Sequence, residues 1–253
     1  MGDARGVDDT GDGGIDRDVE HEAWRQLLFW VALAELAVCV AVLVVNAALI
    51  VPVMVFGVLF LVGIVLLVRP GRVGPVTIGV LSILFVAVNG VYVVEDLAHP
   101  DSFGTFFPAA IGLAAGVVGA VGLCGFLRRW SVRAAARTGA VAGLVMLVAL
   151  GVGLYATLTV ENDRAREGDL ALATDGVEWV PVTLTAVASG DIAVFVSNED
   201  PFRHTFTIDE LDVDEELPAG ADRRVTFTAE PGEYVYHCTV PGHEDMVGVL
   251  TVP

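Results

Sequence analysis

A chain of 253 residues with a net charge of −18 that is nevertheless 55% hydrophobic, with a mean hydropathy of +0.68, cannot be one ordinary soluble domain unless charge and apolar residues are segregated along it. They are segregated: residues 161–253 hold 20 Asp and Glu against five Arg, and most of the remaining negative charge lies in the first 23 residues. Lysine is absent and no basic patch interrupts the acidic surface, which excludes nucleic acid and anionic membrane surfaces as binding partners. Such a lysine-free acidic surface is what adaptation to concentrated salt, or a GC-rich genome, tends to present, and of the two a halophilic origin is the favoured expectation.

Residues 1–23 are rich in Gly and Asp and too poor in apolar residues to repay the entropy of ordering, so they are predicted to be disordered. They carry no basic stretch of the signal-peptide kind, and the first apolar run is expected to remain as an anchor. From Gln26 to Val68 the chain is apolar almost throughout. As one helix this run would be about 65 Å long against a hydrocarbon core of about 30 Å, so it must fold back, with Asn46 and Pro52 marking the hairpin.

Spans are therefore predicted near 26–46 and 50–68, followed by 73–94, 106–127 and 135–158, together a five-helix transmembrane domain over 24–158. Their Gly and Ala content favours a closely packed bundle. Arg25, Arg69, Arg72, Arg128, Arg129, Arg133 and Arg137 all fall at ends that five spans put on one side, which the positive-inside rule makes cytoplasmic. The N-terminus is then cytoplasmic and the C-terminal part extracellular, on a multi-pass protein of the cell membrane in contact with lipid.

Within the spans, Glu35 is a functional candidate because a carboxylate there is costly, although a protonated carboxyl bonded to a neighbouring helix is the plainer reading. Asn46 reads as a turn residue and Asn89 as an interhelical hydrogen-bonding one. No histidine lies in any span, which argues against a bis-histidine haem. Three cysteines make no disulfide framework; Cys39 and Cys124 sit in apolar runs and are expected as small buried residues.

Residues 159–168 read as a polar linker, and from 169 to 253 the pattern becomes alternating β-branched and polar runs bounded by Gly, Pro and Asp. "VPVTLTAVA", "DIAVFVS", "RHTFTI", "RRVTFTA", "GEYVYHC" and "MVGVLTV" read as strands of a small Greek-key β-sandwich. The fold class is thus an all-α transmembrane bundle followed by an all-β sandwich.

A copper ion that shuttles one electron needs a soft thiolate, two imidazoles and a weak axial ligand. "YHCTVPGHEDMVG" supplies Cys238, His243 and Met246 on one inter-strand loop, and His204 stands 34 residues before the cysteine. "SNEDPFRHTF" and "YVYHCTVPGHEDMVGVLTV" resemble the two copper-binding segments of the plastocyanin and halocyanin family of cupredoxins, with a short His-to-Met step like that of amicyanin. The resemblance covers roughly the last 85 residues. It implies one mononuclear blue copper, with Cys238 as thiolate, His204 and His243 as imidazoles and Met246 as the weak thioether. It also implies that the edge of His243 is an exposed electron port in a patch to which Pro201, Pro241 and Gly242 contribute. Thr205 and Thr239 are candidates for hydrogen bonds that tie the two segments together near the sulfur.

His237 is weighed separately, because a "YHC" run also occurs in copper nitrite reductases, where the histidine holds a second copper. That site needs further histidines, and only His21 and His99 remain, on ends predicted to lie on opposite faces of the membrane. A binuclear purple centre needs two cysteines in the loop and finds one. The expected function is therefore an electron carrier rather than an enzyme, with redox proteins of the membrane respiratory chain as partners. Copper handling, or service as a reductase or oxidase subunit, is the alternative.

Overall fold

The computed structural model describes residues 12–45 and 50–253, with side chains described outside 12–18. The chain divides into two compact units: Met1–Ala41, Leu49–Val93 and Ala110–Val148 form one, and Val42–Ala48, Val94–Ala109 and Ala149–Pro253 the other. Among the described residues five helices occupy the N-terminal part: α1 (Asp12–Val45), α2 (Val51–Val68), α3 (Val73–Ala98), α4 (Phe103–Arg128) and α5 (Val132–Leu158). Each has a stretch long and apolar enough to cross a membrane, where a helix is one of the few ways to satisfy every backbone polar group. The hairpin residue Asn46 lies outside the described residues. Helix α1 opens at Asp12, so residues 12–23 of the tail expected to be disordered are helical, and residues 1–11 lie outside the description.

In the first unit the packing is built on glycines of α4. A Cβ at Gly112 would stand 3.8 Å from Val38, one at Gly119 would stand 3.3 Å from Val31, and one at Gly122 would press on Leu28 at 2.9 Å, so α1 lies directly along this seam. Phe85 of α3 meets Phe56 and Phe60 of α2 edge-on, at ring separations of 5.2 and 5.9 Å. The guanidinium of Arg25 donates to the carbonyls of Leu67, Arg69 and Gly71, closing the C-terminal end of α2.

Three expectations change here. Asn89 hydrogen-bonds the Phe85 carbonyl one turn back in its own helix rather than a neighbouring helix. Cys39 is buried, whereas Cys124 is exposed. Glu35 is fully buried, yet among the described residues neither carboxyl oxygen has a hydrogen-bond partner, so the bonded carboxyl expected there is not formed.

The second unit contains a sandwich of nine strands: β1 (Leu170–Thr174), β2 (Trp179–Val180), β3 (Thr183–Thr185), β4 (Gly190–Ser197), β5 (His204–Ile208), β6 (Val213–Leu217), β7 (Asp222–Ala229), β8 (Gly232–His237) and β9 (Val247–Val252). They form two sheets, ordered β2-β1-β4-β7 and β3-β9-β8-β5-β6, each mixed because β1 runs parallel to β4 and β3 parallel to β9. Strands β1 and β6 escape a reading by alternation: "LALAT" lacks β-branched residues before its end, and "VDEEL" hides two apolar residues among three acids.

Between the sheets, Trp179 stands edge-on to Phe206 and Tyr236, at 6.0 and 5.7 Å, and all three are almost completely buried. The indole donates to the Met246 carbonyl at 3.2 Å, which fastens the core to the loop between β8 and β9. The segment after α5 is held rather than loose. Asp163 and Asn162 bond the backbone of Asp222 and Arg224 in β7, and Arg224 grips Asp169 with two bonds of 2.8 Å.

Candidate metal centre

His204 opens β5, Cys238 follows β8, and His243 and Met246 lie on the loop that leads into β9. Two hydrogen bonds wind that loop tightly: the His243 amide donates to the Val240 carbonyl at 3.0 Å and the Met246 amide to the His243 carbonyl at 2.9 Å. Gly242 takes φ +91°, which a side chain would resist, and its amide donates to Glu244 Oε1 at 3.0 Å. This bond holds the Glu244 carboxyl below its ordinary range.

His204, Cys238 and His243 bring one ligand atom each within 4.8 Å of one another, all buried, and no second such group involves His237 among the described residues. The Cys238 sulfur is 3.8 Å from Nδ1 of His204 and 3.6 Å from Nδ1 of His243, and the two imidazole centroids are 4.8 Å apart. Met246 is 1% exposed and its carbonyl accepts the Cys238 amide at 3.1 Å. His237 instead points its Nε2 towards Asp209, 3.9 Å away.

The surroundings orient these groups. Nε2 of His204 donates to Asp200 Oδ2 at 2.9 Å, which fixes the tautomer and leaves the Nδ1 lone pair facing the sulfur. Asp200 is itself held by the Gly176 amide at 2.8 Å. Asn198, 2% exposed, keeps its Nδ2 within 3.0 Å of the carbonyls of Phe202, Leu217 and Pro218 and so shapes the turn before His204. The Thr205 amide donates to the Cys238 sulfur at 3.4 Å, and the Thr205 hydroxyl meets that of Thr239 at 3.0 Å and accepts the Thr239 amide at 2.8 Å. The tie anticipated between these threonines is present. Asp200 and Asn198 were not anticipated, although Asn and Asp ahead of a proline are turn formers that bond nearby backbone.

Burial pushes His243 down to about 4, helped by the neighbouring His204, and burial also lowers His204 against the opposing pull of Asp200. Both imidazoles are thus neutral donors at neutral pH. Burial raises the Cys238 thiol, opposed by the Thr205 amide. A soft sulfur and two neutral imidazoles aimed at one another, with a thioether residue on the same loop, form a donor set that suits copper. His243 is 7% exposed, with Phe202 packed at 5.4 Å, so any port there is confined to a small part of the residue.

Residues 146–252 match the family model described as Cupredoxin-like domain. No curated protein matches the chain. Among solved structures, a reduced auracyanin from Roseiflexus castenholzii is 22% identical, with 35% of this chain and 99% of that one covered and a TM-score of 0.31. A reduced amicyanin carrying one substitution is 18% identical over 36% and 87% of the two chains at a TM-score of 0.30. A copper-containing nitrite reductase from Thermus scotoductus is 28% identical over 38% of this chain and 24% of that one, at a TM-score of 0.29. The match takes in the end of α5 as well as the sandwich, and the sandwich from β1 to β9 is a cupredoxin-like domain.

Proposed function

We propose that the protein is a membrane-anchored electron carrier that holds one copper ion through His204, Cys238, His243 and Met246. The observation that carries this reading is the convergence of the Cys238 sulfur and both histidine Nδ1 atoms in a buried cluster, with the far nitrogen of His204 already engaged by Asp200. Copper bound there would supply a one-electron Cu(II)/Cu(I) couple. The chain's own part is to hold and to exclude. Neutral imidazoles need lose no proton to bind a cation, the Thr205 amide favours the thiolate, and the packed loop keeps water from the sulfur.

The anchor is residues 24–158, the connection 159–168 and the copper domain 169–253, with the N-terminus cytoplasmic and the copper domain outside, where redox proteins of the membrane respiratory chain would be its partners. The arginines at one set of helix ends support that orientation. The test is the visible and EPR spectrum of the full-length chain loaded with Cu(II), beside Cys238→Ser. An intense thiolate-to-copper band at one copper per chain, lost in the variant, is expected; a colourless protein would sink the proposal.

A further inference from the structure

Residues 94–109, which end α3, turn and begin α4, belong to the same compact unit as the sandwich. They lie against the loop that delivers His204. Arg203, 5% exposed, places Nη2 3.0 Å from Glu95 Oε2 and Nη1 3.6 Å from Glu216 Oε2. His99 Nε2 stands 3.6 Å from the other oxygen of Glu216. Ser102 is fully buried, and its hydroxyl accepts the Ala219 amide at 3.2 Å. At Gly104 the backbones approach so closely that a Cβ would overlap the Pro201 carbonyl oxygen.

These features are costly unless the two segments stay together. A guanidinium withdrawn from water needs fixed carboxylate partners, and Arg203 finds one on each segment. A glycine whose missing Cβ admits a carbonyl fits only a docked arrangement. The join meets the carbonyl of Pro201, one of the residues expected to form a patch beside the histidines, while Pro201 itself stays exposed.

We propose that residues 94–109 are the standing docking partner of the face beside His204, latched by Arg203, and that they mask this face from external proteins. A redox partner is then left with Pro201 and the exposed part of the ligand loop, Gly242, Glu244 and Asp245. The masking consequence rests on the electron-carrier reading; the docking does not.

The test is hydrogen exchange on the full-length chain in lipid nanodiscs, metal-free and copper-loaded, for Gly104→Leu, Arg203→Met and the control Gly90→Leu, which meets nothing within 4 Å. Amides of residues 199–206 and 217–221 should exchange about tenfold faster in both docking variants and stay unchanged in the control, while β4 and β7 keep their protection. Unchanged exchange in both docking variants overturns the proposal. If Gly104→Leu also loosens β4 and β7, Glu95→Gln, on a half-exposed side chain, decides by the same criterion. Absence of the blue band would remove the carrier reading and leave the metal-free exchange result standing. With copper bound, reduction by a small hydrophilic reductant should be severalfold faster in the docking variants, and an unchanged rate overturns the masking.

Discussion

At the scale of single residues, the least obvious part of the metal centre is Asp200. It touches no other proposed ligand, yet its carboxylate accepts the His204 Nε2 proton at 2.9 Å and so decides which nitrogen faces the sulfur. Partners of this kind typically matter about 10- to 100-fold in metal affinity. Asp200→Ala is therefore expected to weaken Cu(II) binding by about that factor while leaving the thiolate band present at saturating metal, since Cys238 is untouched. A competitive chelator titration followed at that band measures it, and an affinity equal to that of the unaltered protein would count against the role. The proposed ligands and their order are legible in the sequence because Cys238, His243 and Met246 sit on one short loop. Asp200 is not, because nothing in "SNEDPF" says which of its polar side chains turns inward until the loop has been folded around Asn198.

At the scale of elements, the helices are readable because an apolar run of span length admits few other structures, and the strands because alternation marks a half-buried face. Their ends are less readable. Helix α3 runs on through Glu95 and Asp96 to Ala98, past the predicted end at 94, since charged residues at a helix terminus interrupt hydropathy without interrupting backbone hydrogen bonding. Glu35 poses the element-scale question most sharply. A carboxyl that is fully buried with no partner among the described residues costs about 1–3 kcal/mol relative to a satisfied or apolar side chain. Glu35→Leu is accordingly expected to raise the thermal unfolding temperature of the helical signal in detergent, by circular dichroism; a lowered temperature would mean that the carboxyl is satisfied by something the helices themselves do not supply.

A second expectation at this scale concerns how β7 is held to the segment before β1. Two bonds from Arg224 keep the Asp169 carboxyl well below its usual range. A carboxylate with a lowered folded-state value contributes stability that is present above its unfolded value of about 3.9 and is lost as pH falls through the folded value. Asp169→Asn should thus lower stability at neutral pH and flatten its decline below about pH 4. Urea midpoints measured from about pH 7 to about pH 3 check this, and parallel curves for the two proteins would exclude the linkage.

At the scale of the whole molecule, sidedness decides which proteins the copper site can meet. Crossing by all five apolar helices of the described residues would make the number of crossings odd, and an odd number separates the two termini. The segments at one set of ends carry Arg69, Arg72, Arg128, Arg129 and Arg133, whereas Glu95, Asp96 and Asp101 mark the other, and the proposed outward placement of the sandwich rests on this distribution together with parity. The acidic C-terminal half fits that side, because the anionic inner leaflet would repel it. Single cysteines report on this directly. In intact cells a membrane-impermeant maleimide is expected to label Glu233→Cys, on an exposed position of β8, and to leave Arg133→Cys, between α4 and the body of α5, unlabelled until the membrane is opened. The reverse pattern would invert the protein and place the metal centre in the cytoplasm. Labelling of both would mean an even number of crossings, and the family of redox partners open to the copper domain would change with it.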